Sequence, residues 1–82
     1  MKELFEYAKE LAKITKFEEN DLLNAISTLR ELKVPEESIK LLIERSNAIG
    51  VPMRLMELVN IIFHDEIEQR RKWNMELLSE FV

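Results

Sequence analysis

The side chains in this sequence best suited to chemistry gather near its single histidine: His64, Asp65, Glu66 and Glu68. On a helix His64 and Glu68 share a face, because residues four apart lie one above the other, and adjacent carboxylates suit a single hard cation. A zinc centre needs three or four ligands drawn mainly from Cys and His, and the chain has no Cys. Acidic residues also enrich the first turn of a helix, so the same cluster reads as a solvated helix start with Asp65 as its cap. No cysteine nucleophile and no glycine-rich phosphate loop accompany it, the chain holding one Gly in all. The expectation is a protein that is not an enzyme, with no cofactor, no metal and no small-molecule substrate.

A second cluster is of a different kind. Gln69-Arg70-Arg71-Lys72-Trp73-Asn74 is the only concentrated positive charge in an acidic chain and holds its only tryptophan. Trp and Arg anchor interfaces because they offer large desolvated area or bidentate bonding at low entropic cost. Arg70, Arg71, Lys72 and Trp73 are therefore candidate partner-binding residues, against the simpler reading of a solvated face with Trp73 folded back over a neighbouring helix. Leu41, on the far side of its helix from the main apolar face, joins them.

Residues 38–63 offer a nucleic-acid alternative. Helix, small Ser46, Gly50-Val51 and a second helix resembles a helix-turn-helix over this stretch, with Arg45 and Arg54 as the cations for DNA. Arg45 stands where such motifs want an apolar residue, and the presumed recognition helix pairs Arg54 with Glu57, which phosphate repels.

These residues sit on a chain of 82 with a formal charge of −4, 46% hydrophobic residues and two Pro. That length holds one domain, over residues 1–82. Phosphate binding calls for clustered Lys and Arg, so nucleic acid is disfavoured as a partner. Glu3 and Glu6 stand where a signal peptide is apolar, and no run approaches the ~20 residues of a membrane span. A cytoplasmic protein with no membrane partner is expected.

Apolar spacing predicts an all-α bundle of four to five short helices. Residues 2–16 divide cleanly into an apolar half (Leu4, Phe5, Tyr7, Ala8, Leu11) and a charged half. Asn20 is the expected cap of a second helix over about 21–33, ended by Pro35 because a residue before proline leaves the helical region. Pro35 opens a third helix, with Ile39, Leu42, Ile43, Ser46 and Ile49 inward, and Gly50 closes it. Pro52 opens a fourth, apolar over most of its girth from Met53 to Phe63 and hence expected at the centre of the bundle. The wide girth also leaves Met53, Leu55 and Met56 as candidate contacts to a second subunit. Beyond it the stripe swings to Ile67, Asn74, Leu77, Leu78 and Phe81, so a break or bend is expected near residues 64–66, with Asp65 and Glu68 as a capping box.

The sequence thus points to a non-enzymatic interaction module, a small cytoplasmic regulator, adaptor or inhibitor that binds a larger protein. The alternatives are a helix-turn-helix regulator and a homo-oligomerisation module.

Overall fold

A computed structural model describes residues 2–80. Five helices follow in chain order: α1 Leu4–Ile14, α2 Glu19–Glu31, α3 Glu36–Ile49, α4 Leu55–Ile62 and α5 His64–Glu80. Among the described residues there is no strand. The all-α architecture expected from the apolar periodicity is the one observed.

Each boundary has a local cause. The Glu3 carboxylate accepts from Phe5 N and Glu6 N, both at 3.1 Å, and so answers two of the free donors at the start of α1. α2 starts at Glu19, which places Asn20 inside the first turn rather than at the cap. It ends earlier than Pro35 requires. Lys33 N donates to Arg30 O and Val34 N to Leu29 O, both at 3.0 Å, the paired bonds of a Schellman motif, and Lys33 takes the left-handed φ of 64° that the motif demands. Gly50 performs the same task for α3 at φ 76°, where a residue without Cβ is at ease. The expected fourth helix begins three residues after Pro52, at Leu55. Its separation from α5 falls at Phe63, with φ −107° and ψ 26°, one residue ahead of the anticipated break. Asp65 is accordingly within the first turn of α5 and not its cap.

The core consists of Ala8, Leu11, Phe17, Leu22, Ala25, Ile26, Leu29, Ile39, Ile43, Leu55 and Val59. Four of these come from α2, which packs against α1, α3 and α4. The central place expected for the fourth helix belongs to α2, because α4 is only two turns long and leaves Ile61 and Ile62 exposed. Arg30 closes the open end of the bundle: its guanidinium bonds Glu36 at 2.6 Å and Lys2 O at 3.0 Å, and lies 5.9 Å from the centre of the Tyr7 ring.

One helix stands apart from this core. α5 contributes no buried residue. The molecule measures 46 × 26 × 20 Å, and its radius of gyration of 14.2 Å exceeds the ~12 Å of a compact chain of this length. Its accessible surface of 6171 Å² exceeds by roughly a fifth the ~5,200 Å² expected of a compact monomer of this mass.

Candidate functional site

The chemistry-bearing residues divide into three places. His64, Asp65, Glu66 and Glu68 lie on the first turns of α5, all exposed, and among the described residues no three His, Asp or Glu side chains gather as a metal site. Arg45 is exposed on α3 and Arg54 is exposed at the start of α4. Arg70, Arg71, Lys72 and Trp73 form the second and third turns of α5.

The start of α4 holds a device that sequence reading passed over. The two oxygens of Asp21 accept from Leu55 N at 2.7 Å and Met56 N at 2.9 Å, capping α4 from the first turn of α2. No Ser, Thr, Asp or Asn stands at 51–54, so α4 has no cap of its own. That missing local cap is the signal that a carboxylate must arrive from elsewhere. The arrangement bears on Arg45 and Arg54 as DNA contacts. The N-terminus of the presumed recognition helix, the part that would enter a groove, already carries Asp21 and Glu57. α3 and α4 each pack on α2 more than on one another, unlike the paired helices of a helix-turn-helix.

Of the three candidate subunit contacts, Leu55 is corrected outright. It is fully buried in the core, so it has no surface to give to a second chain. Met56 is half-buried against the core, with Thr28 Oγ1 3.7 Å from its sulfur. Met53 is half-buried beside Lys16 and Phe17. Lys16 helps hold that corner, donating through its backbone N to Asn47 Oδ1 at 2.8 Å and through Nζ to Val51 O. Leu41 is exposed on α3, an element separate from the basic cluster.

The basic cluster is split by helical geometry. At about 100° per residue, Trp73, Glu66, Leu77, Arg70, Asn74, Ile67, Leu78, Arg71, His64 and Met75 fall on one arc of α5, whereas Asp65, Glu68, Gln69, Lys72 and Glu76 fall on the other. Arg70 therefore neighbours Trp73 one turn away, and Lys72 lines an open surface depression together with Trp73, Glu68 and Glu76. Arg70 reaches Glu31 of α2 at 4.0 Å and Arg71 pairs with Glu68 at 3.2 Å. Trp73 does not fold back on a neighbouring helix. It is 62% exposed, and Met75, Leu77 and Leu78 are exposed with it. Phe81, expected on the same stripe, lies outside the described residues.

Between this arc and the body runs an open groove of about 470 Å³, walled on one side by Leu32, Glu31 and Met56 and on the other by Ile67, Asn74 and Leu78. The sequence marks both walls as helix faces, but their separation is a tertiary fact that periodicity does not carry. No helix among the described residues is long and apolar enough to cross a membrane. The chain matches no family model, and no curated protein or solved structure shows significant similarity to it.

Proposed function

We propose that this protein is a non-enzymatic interaction module of the cytoplasm, a regulator, adaptor or inhibitor that docks on a larger protein through the apolar and arginine arc of α5. The observation that carries this reading is Trp73, 62% exposed on a helix with no buried residue. Tryptophan is highly buried on average, and a stripe of Trp, Met and Leu left in water is costly at about 25 cal/mol per Å² of apolar surface. Arg70 and Arg71 supply guanidiniums within the arc, able to meet carboxylates or backbone carbonyls of a partner.

Affinity capture from the native host with wild-type protein and with Trp73→Ala tests the reading. The expected result is a stoichiometric protein partner that the variant loses while its helix content stays unchanged. Recovery of the same partner at the same yield by Trp73→Ala overturns it. Recovery of nucleic acid in place of protein, lost on Arg54→Ala, would favour the helix-turn-helix alternative.

A further inference from the structure

We propose that α5 is a hinged arm with two positions: the open one of this structure, and a closed one in which it swings about Phe63 and seats Ile67, Arg71, Asn74 and Leu78 on α2 and α4. The inference concerns the chain's own contacts and stands whether or not a partner docks on α5.

The two walls of the open groove match as helix faces. On α5 the lining residues Ile67, Arg71, Asn74 and Leu78 are spaced by four, three and four, which puts them within about 60° of one another. On the other wall Thr28 and Leu32 stand one turn apart on α2, and Met56 and Asn60 one turn apart on α4. Stripes of this kind pack helix against helix at about 8–10 Å between axes, which leaves no open groove.

Contact has begun at one end only. Ile67 is half-buried, and every other described residue of α5 is exposed. Leu32 is half-buried as well, and neither belongs to the core. Beside them Arg70 reaches Glu31 at 4.0 Å, the outer limit of an ion pair. Past this point the walls part, and Asn74 and Leu78 face the opening of about 470 Å³.

The backbone supplies the pivot. Phe63, at φ −107° and ψ 26°, interrupts the helix between α4 and α5. Leu78 lies about 22 Å along the axis from it, so a swing of only about 20° carries Leu78 by about 8 Å. Closing withdraws Ile67 and Leu78 from water, while Trp73 and Leu77, about 80–120° round the helix from Ile67, stay outside in both positions. It also brings Asn74 toward the polar Thr28 and Asn60, and the desolvation of these groups opposes it. The opposed terms make the seam a joint rather than a fixed part of the core.

The chain has no cysteine, so an introduced pair reports the contact. Two cysteines bridge when their Cα atoms come within about 4.4–6.8 Å, a separation that needs the groove closed. The test compares the full chain carrying Thr28→Cys and Asn74→Cys with one carrying Thr28→Cys and Lys72→Cys, since Lys72 lines no part of this groove. Equilibration with glutathione gives the effective concentration of each thiol pair. The expected results are a value at least tenfold higher for the Asn74 pair, a fall of at least threefold when Leu78→Glu is added with helix content unchanged, and a smaller radius of gyration by small-angle scattering after oxidation. In the chain without cysteines, Arg70→Glu should raise the radius and Glu31→Arg added to it should restore the radius, which keeps the test open should Thr28→Cys disturb the fold. Equal effective concentrations for the two pairs overturn the inference, as does a radius that ignores both Arg70→Glu and Leu78→Glu.

Discussion

Asp21→Ala should unfold α4 from the body more effectively than the loss of any other exposed or half-exposed side chain. Each oxygen of Asp21 takes one backbone N–H of α4, at 2.7 Å from Leu55 and 2.9 Å from Met56. Hydrogen bonds to a charged group contribute about 1.5–3 kcal/mol each when protected, and lost caps cost about 0.5–2 kcal/mol. The bonds are part-buried, and water can refill the site, which places Asp21→Ala near 2 kcal/mol, at the upper end of the cap range. The carboxylate also faces the positive end of the helix dipole, so Asp21→Asn, which keeps one acceptor but no charge, should lose about half as much. Chains of this length are held by only ~4–12 kcal/mol, so the alanine variant should melt about 8–16 °C lower. Urea unfolding followed by far-ultraviolet circular dichroism gives the difference directly, provided that the slope with denaturant is unchanged. A loss below about 0.5 kcal/mol for Asp21→Ala would refute the long-range cap as a source of stability.

Other expectations follow from the same geometry. Leu55→Ala should cost about 2–5 kcal/mol by opening a cavity in the core, whereas Trp73→Ala should stay within about 0.5 kcal/mol of wild type, and comparable losses in chemical denaturation would contradict the assignment of one to the core and the other to the surface. Lys33→Gly should stabilise by up to ~1 kcal/mol because it relieves a left-handed φ of 64°, while Gly50→Ala, at φ 76° with open space around it, should destabilise by about 1 kcal/mol; thermal melts showing both changes in the same direction would contradict this. The phenol of Tyr7, the only tyrosine, is raised above its ordinary 10.0 by burial first and by the Glu36 carboxylate second. Its contribution to stability is whole below that ordinary value and is lost as pH rises through the folded one. Absorbance titration at alkaline pH should find the midpoint higher in native protein than in urea, and coincident midpoints would contradict it.

How far the sequence could be read depended on whether the cause was local. The helices of α1, α2 and α3 follow from apolar spacing, and Pro35 and Gly50 mark real boundaries because each acts on its own backbone. Pro52 misled for the opposite reason. A proline suits a first helical turn, yet α4 begins only at Leu55, where Asp21 from another helix supplies the cap. Apolar girth suggested that the fourth helix is central, but burial depends on what surrounds a helix, and α2 with its four core residues is the one surrounded. The same ambiguity made Leu55 a candidate contact when it is core. At the site, the Arg70–Trp73 neighbourhood was legible as residue types at one-turn spacing. Whether Trp73 lay over a neighbour or in water was not, since that depends on the direction in which α5 leaves Phe63.

The central claim is that the arc of α5 carrying Trp73 is covered by protein when the molecule acts. Photocrosslinking in living cells of the native host, from a benzophenone amino acid in place of Trp73 and separately in place of Lys72, tests it most directly. The account predicts discrete adducts with a larger protein from position 73 and few or none from position 72. No adduct from position 73, or the same adducts in the same yield from both positions, would contradict it.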